Sequence, residues 1–87
     1  MFAINIKRKA LKKLSKLDQK QKRNIETIIL ILKTDPVPFK KADVCKLQGY
    51  NDTYRIRTGN IRIVYQVFWN EKTILIHYIG PREKAYE

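Results

Sequence analysis

The sequence predicts an α+β fold in which two helices cover one face of an antiparallel sheet. Three observations indicate this arrangement: two consecutive segments with apolar residues at helical spacing, a proline-containing break after them, and a C-terminal half of alternating apolar residues. Consecutive helices followed by a β-meander are typical of α+β domains. The chain has 87 residues, so we expect residues 1–87 to form one domain.

The chain should begin with a strand and a short amphipathic helix. Residues 2–6, FAINI, alternate weakly and suit a strand. The segment KRKALKKLSKL follows, with lysines around most of the helical surface. Its apolar residues fall at helical spacing and are predicted to face the core: Ala10, Leu11, Leu14 and Leu17.

A second helix should run from about residue 19 to residue 34. Asp18 and Gln21 have the spacing of a capping box. The helix should end at Asp35-Pro36-Val37-Pro38, because residues before proline avoid the helical region. Its buried stripe is predicted to contain Ile25, Ile28, Ile29 and Leu32, widened by Leu30 and Ile31.

The C-terminal half predicts a meander with two different faces. A short strand is expected near 44–47, followed by longer strands near 53–58, 61–69 and 73–79. The core side should carry Tyr54, Ile56, Ile61, Ile63, Tyr65, Val67, Trp69, Ile74, Ile76 and Tyr78. The opposite side should carry Arg55, Arg57, Arg62, Gln66 and His77, interleaved with Val64, Phe68, Leu75 and Ile79. This opposite side is interpreted as a basic cleft with an apolar floor.

Three arginines on that opposite side form the most informative cluster in the sequence. If Gly59-Asn60 is a two-residue turn, Arg57 pairs directly with Arg62, although like charges facing each other destabilise a sheet. A guanidinium has a pKa above 12, so it binds phosphate and stabilises developing charge but does not act as a base. The cluster therefore predicts an anion site, against the alternative of three solvated side chains.

The charge balance also indicates an anionic partner. The chain carries 19 Lys and Arg against 8 Asp and Glu, a net charge of +11, and most of the excess lies in residues 1–34. Nucleic acid is the favoured partner, with an acidic protein or membrane surface as alternatives. The chain has no long apolar run or secretory signal, so a cytoplasmic protein is expected, with the single Cys45 interpreted as a buried core residue.

No other motif in the sequence predicts a catalytic centre. His77 and Cys45 lack partners at metal-ligand spacing, and there is no glycine-rich phosphate loop or nucleophile motif. We therefore predict no metal and no cofactor.

Four features of the chain are shared with a known family. They are the element order, the KLQG turn at 46–49, the hairpin YRIRTGNIRIVYQV at 54–67 and the terminal segment IGPREKAY at 79–86. On these features the chain resembles, over essentially its whole length, the RelE toxins of the RelE/ParE superfamily. The resemblance is to archaeal members of the family in particular. The resemblance implies a toxin of a type II toxin–antitoxin pair, with a RelB-like antitoxin and the mRNA-carrying ribosome as partners.

The resemblance also implies an activity and roles for five residues. The activity is cleavage of mRNA in the ribosomal A site, in which a 2′-hydroxyl attacks the adjacent phosphodiester. Arg55, Arg57 and Arg62 would hold the scissile phosphate and its charge. Arg82 would stabilise the transition state or the leaving oxygen, and Tyr86 would position the reacting nucleotide. Two alternatives stay open: a ParE-like toxin that inhibits DNA gyrase, and an RNA-binding relative that cuts nothing.

Overall fold

The fold consists of two helices and a five-stranded sheet. The computed structural model describes residues 1–81. Its elements are, in chain order, β1 (Ala3–Ile6), α1 (Arg8–Ser15), α2 (Gln19–Thr34), β2 (Asp43–Lys46), β3 (Thr53–Thr58), β4 (Ile61–Phe68) and β5 (Thr73–Pro81). The predicted α+β class and the predicted order of elements are confirmed.

The sheet places β4 at its centre. The strand order is β1-β5-β4-β3-β2, and every neighbouring pair is antiparallel except β1 with β5, which is parallel. The helices occupy the crossover between β1 and the meander, and their buried residues share one core with β3, β4 and β5. The opposite face of the sheet is therefore left to carry the predicted basic cluster.

The start of α2 follows the predicted capping box. The Asp18 carboxylate accepts a hydrogen bond from the Gln21 backbone N–H at 2.8 Å, and the Gln21 side chain accepts one from the Asp18 N–H. Both bonds satisfy backbone donors that the first helical turn leaves without partners. The helix ends at Thr34, just before Asp35 and Pro36. Neither helix in residues 1–81 has the length and apolar character needed to cross a bilayer.

Four apolar or thiol side chains lie outside the core, contrary to prediction. Leu11 and Leu30 are exposed because each points away from the buried side of its helix, which Ala10 marks on α1 and Ile28 on α2. Trp69 follows the end of β4, so strand parity does not apply to it, and it packs edge-to-face on Phe2. Cys45 is exposed on β2, at the edge of the sheet.

A β-bulge in β5 changes which of its side chains face the core. Val64 of β4 pairs with Tyr78, but Tyr65 pairs with Ile76, so His77 is the extra residue. Beyond the bulge the alternation is shifted by one position. Ile79 is fully buried in the core, while Tyr78 shares the opposite face with Val64. The predictions for Tyr78 and Ile79 were therefore wrong.

A buried hydrogen bond joins the centre of the sheet to the segment after α2. The Tyr65 hydroxyl, on a fully buried side chain, donates to the Pro36 carbonyl at 2.7 Å. Burial is the main reason that the pKa of Tyr65 is raised above its ordinary value of 10.0. The phenol therefore stays protonated and keeps its donor role throughout the neutral range.

Replacing Tyr65 by phenylalanine should destabilise the fold by about 1–3 kcal/mol, because the Pro36 carbonyl loses its buried partner. Urea denaturation of the two proteins measures this difference. The matched control is Tyr54→Phe, which removes the hydroxyl of the ring stacked on Tyr65 but keeps the bond to Pro36. Equal losses in the two variants would contradict a specific contribution from this bond.

Candidate functional site

The β3–β4 turn brings two arginines face to face. Gly59 has φ +60°, which suits the first central position of a two-residue hairpin turn. Thr58 pairs with Ile61, and Arg57 therefore pairs with Arg62. The predicted register is confirmed.

The face opposite the helices is organised in two rows of residues across three strands. One row runs Arg57, Arg62, Gly80, and the next runs Arg55, Val64, Tyr78. Arg62 is only 9% exposed and the Arg55 side chain 13%. Val64 is 2% exposed although it lies outside the helix-covered core. The site thus places partly desolvated guanidiniums beside an apolar floor.

Asp43 is a member of this site that the sequence analysis missed. It lies on β2 directly opposite Arg57, and one carboxylate oxygen accepts a hydrogen bond from Arg57 Nε at 3.0 Å. Its other oxygen lies 3.7 Å from an Nη atom of Arg55. One carboxylate therefore bridges both arginines of β3 and offsets part of the repulsion between Arg57 and Arg62. Its position follows from the β2–β3 register, which the sequence alone did not reveal.

A cavity opens between the paired arginines at the tip of the hairpin. Its volume is about 360 Å³, and Arg57, Gly59, Asn60 and Arg62 line it. Two guanidiniums on one small cavity suit an oxyanion, since each can donate two parallel hydrogen bonds to it. The geometry therefore favours a phosphate-sized anion at this place.

Tyr78 lies on the same face, next to Arg62. A Cβ added to Gly80 would come within 2.7 Å of the Tyr78 hydroxyl oxygen, so the ring covers the space that a side chain at position 80 would fill. The hydroxyl donates to the Pro81 carbonyl at 3.0 Å. The sequence signal for this placement is the three-residue spacing from Ile76 to Ile79, which breaks the period of two and marks the bulge.

Of the remaining residues predicted on this face or at the site, two lie within the described part of the chain and two lie outside it. Arg82 and Tyr86 lie outside the described residues, so their roles stay predictions. Gln66 and His77 are on the predicted face and hydrogen-bond each other at 3.0 Å. No group of three His, Cys, Asp or Glu side chains suited to a metal ion occurs within residues 1–81.

Comparison with known proteins identifies the family. Residues 4–86 match the family described as the ParE toxin of the type II toxin–antitoxin system parDE. The chain is 36% identical to RelE1 of Methanocaldococcus jannaschii over 86 residues, which cover 99% of this chain and 96% of that protein. The chain belongs to the RelE family of the RelE/ParE toxin superfamily.

Two solved structures of archaeal RelE–RelB complexes show the same fold as this RelE-family toxin. The complex from Pyrococcus horikoshii OT3 matches with a TM-score of 0.85 and 36% identity, over 97% of this chain and 98% of that one. The complex from Methanococcus jannaschii matches with a TM-score of 0.75 and 27% identity, over 90% and 89% of the two chains. The RelE resemblance predicted from the sequence is confirmed.

Replacing Asp43 by asparagine should strengthen binding of a short single-stranded oligoribonucleotide, because Arg55 and Arg57 lose a competing carboxylate. The slope of log affinity against log salt should steepen by about 0.7 if one further phosphate contact forms. Stability should change by less than about 1 kcal/mol, since the Asp43 side chain is half exposed. Fluorescence anisotropy over a salt series gives both the affinity and the slope.

The matched control for Asp43→Asn is Glu26→Gln on α2, which removes the same charge from an exposed position on the helical side. It should leave the slope unchanged. Equal effects from the two variants would show that net charge, and not the bridge to Arg55 and Arg57, controls binding.

The single histidine should titrate below its ordinary pKa of 6.5, because burial and then the charge of Lys7 lower the pKa of His77. As the pH falls through 6.5, the His77 imidazole is protonated in the unfolded chain before it is protonated in the folded one. The contribution of His77 to the stability of the fold is therefore present above pH 6.5 and is lost in acid. An NMR titration of the ring protons measures the midpoint. Lys7→Met should move it upward, and a midpoint at or above 6.5 in the unaltered protein would contradict the assignment.

Proposed function

We propose that this RelE-family toxin is a ribosome-dependent endoribonuclease that cuts mRNA in the A site. The observation that carries the proposal is the opposition of Arg57 and Arg62 across a cavity, with Arg55 in the adjacent row. A sheet places like charges together at a cost, and a phosphodiester bound between them offsets that cost. The membership of the chain in the RelE family supports the same chemistry.

The proposed reaction is an internal transfer at phosphorus. The 2′-oxygen of one nucleotide forms a bond to the adjacent phosphorus, the bond from phosphorus to the 5′-oxygen breaks, and a 2′,3′-cyclic phosphate and a 5′-hydroxyl result. The proton of the 2′-hydroxyl leaves to a base, and the departing 5′-oxygen gains one. Arg55, Arg57 and Arg62 bind the non-bridging oxygens, whose negative charge grows in the transition state.

Arg62 is the arginine best placed to stabilise that charge. It is 9% exposed, and an electrostatic interaction in such a site is stronger than in water. Arg57 is about half exposed and is held by Asp43, which suits it to phosphate binding more than to transition-state stabilisation. Arg82 is proposed to stabilise the leaving oxygen, and Tyr86 to position the reacting nucleotide.

A RelB-like antitoxin is the proposed protein partner. The two archaeal relatives described above were each solved as RelE–RelB complexes. The net charge of +11 favours an acidic partner segment over the arginine face, where it would exclude RNA. A toxin that acts on ribosomes works in the cytoplasm, which is the proposed location.

Replacing Arg62 or Arg82 by alanine should reduce cleavage by at least about a hundredfold, the scale expected when one stabiliser of transition-state charge is lost. Primer extension on a defined mRNA, with translating ribosomes, maps the new 5′ ends. The matched control is Arg23→Ala, an exposed arginine on α2, which should cut as the unaltered toxin does.

Each outcome of this experiment has a definite meaning. New ends inside A-site codons that need ribosomes and Arg62 support the proposal. Full activity in both Arg62→Ala and Arg82→Ala refutes the site assignment. No ends at all, from a folded toxin on matched ribosomes, refutes the nuclease activity. In that case a supercoiling assay with DNA gyrase separates a ParE-like inhibitor from an RNA-binding relative that does not cut.

A further inference from the structure

A second cavity lies on the arginine-bearing face, towards the other end of β4. Its volume is about 400 Å³, within the usual range of small-molecule sites. Lys7, Tyr50, Asn51, Gln66 and His77 are among the residues that line it. None of these residues belongs to the two arginine rows.

The polar floor of this cavity has a defined hydrogen-bonding pattern. Gln66 Nε2 donates to the Asn51 carbonyl at 3.3 Å, and a carbonyl only accepts, so the amide oxygen of Gln66 faces His77. His77 Nε2, 3.0 Å from that oxygen, must then carry a hydrogen and donate it. The network therefore settles both the orientation of the amide and the protonated nitrogen of the ring.

The loop that forms one wall is tied to the sheet. The Thr53 hydroxyl donates to the Asn51 carbonyl at 2.9 Å. The Val67 N–H donates to the Asp52 carbonyl, and the Leu47 N–H donates to the Thr53 carbonyl, each at 2.9 Å. These bonds hold the cavity in shape before any ligand arrives, which lowers the entropy lost on binding.

The chemistry of the lining suits a nucleobase better than a simple anion. Among the lining residues within 1–81, Lys7 is the one cation, and burial lowers the pKa of His77, so the imidazole is neutral at pH 7. The polar side chains of Gln66, Asn51 and His77 in the lining are neutral. The Tyr50 side chain is 48% exposed and presents an aromatic ring, and bases of single-stranded RNA stack on such rings.

The cavity also lies where an RNA strand from the arginine cluster would pass. One face of β4 carries Arg62, Val64 and Gln66, which are every second residue of the strand. At about 3.3 Å per residue, Gln66 lies roughly 13 Å from Arg62. We propose that the cavity around Gln66 and His77 is a nucleobase-binding subsite for a nucleotide flanking the scissile phosphate. This inference rests on the proposed function, because it assigns the subsite to the same RNA strand.

The only histidine in the chain makes the subsite directly observable. The ring protons of His77 give one unambiguous pair of NMR signals. The purified full chain is titrated with 5′-AMP, 5′-GMP, 5′-CMP and 5′-UMP, and separately with inorganic phosphate. At least one mononucleotide should shift the His77 signals saturably, and phosphate at the same concentration should not. Equal shifts with phosphate, or no shift with any mononucleotide, would overturn the proposal.

Two variants distinguish a binding effect from misfolding. Gln66→Ala removes the amide that is hydrogen-bonded to His77, and Tyr50→Ala removes an exposed ring from the loop before β3. Each should weaken the mononucleotide affinity by about tenfold, the equivalent of 1.4 kcal/mol. Arg62→Ala should retain the nucleotide-dependent shift, since it lies in the other cavity. Unchanged affinity in both Tyr50→Ala and Gln66→Ala would contradict the assignment.

The ribosome assay separates this inference from the proposed function. If the subsite exists, the Gln66→Ala and Tyr50→Ala toxins should still cleave mRNA, because they retain Arg62. Their preference among A-site codons should change. A toxin that cuts, with codon preferences unchanged in both variants and no His77 shift, retains the nuclease proposal and refutes the subsite. A toxin that binds mononucleotides at His77 but cuts nothing refutes the nuclease proposal and retains a nucleotide-binding cavity.

Discussion

The structure depends on the burial of β4 on both of its faces. Five consecutive residues, Ile61 to Tyr65, are buried, yet the helices cover only one side of the sheet. Val64 is 2% exposed but is not part of the core that the helices share, so other side chains must exclude water from it. Arg55 and Tyr78 pair directly with Val64 from the two neighbouring strands and are the residues best placed to do so. The cluster that is proposed to bind phosphate therefore also acts as the second cover of the central strand.

Contacts within the protein orient the two arginines of β3. Long side chains lose considerable conformational entropy when they are fixed. Arg55 lies over the apolar floor, and Asp43 bridges Arg55 to Arg57. The carboxylate restrains both guanidiniums, so an incoming anion that displaces it meets side chains that are already partly oriented. Preorganisation of this kind lowers the reorganisation needed when charge develops.

The sequence predicted the fold better than it predicted the site. The Asp18 capping box and the Gly59-Asn60 turn are local signals, and both were confirmed, while apolar periodicity predicted the elements correctly but misplaced single residues such as Leu11, Leu30 and Ile79. Arg57 and Arg62 were placed correctly because a two-residue turn fixes the register of its hairpin. Membership of the RelE family was also recognisable from the hairpin and terminal motifs.

Two site residues escaped prediction because their positions depend on non-local pairing. Asp43 reaches the arginines only through the β2–β3 register, and the turn around Gly49 lies in a loop of six residues that does not by itself fix that register. The predicted faces of Tyr78 and Ile79 were wrong because one extra residue in β5 shifts the alternation of side chains beyond it. The three-residue spacing between the core residues Ile76 and Ile79 indicates the extra residue, but the prediction assumed strict alternation.

The absence of a side chain at position 80 has an evolutionary consequence. Gly80 does not have a positive φ, so its backbone would accept another residue, and within residues 1–81 the Tyr78 ring is what occupies the space. Positions 78 and 80 are thus sterically coupled, and a smaller residue at 78 would release the restriction at 80. Across the family, the two positions should covary. The residues at these two positions would distinguish toxins with a tyrosine at position 78, beside Arg62, from toxins in which a side chain at position 80 fills the same volume.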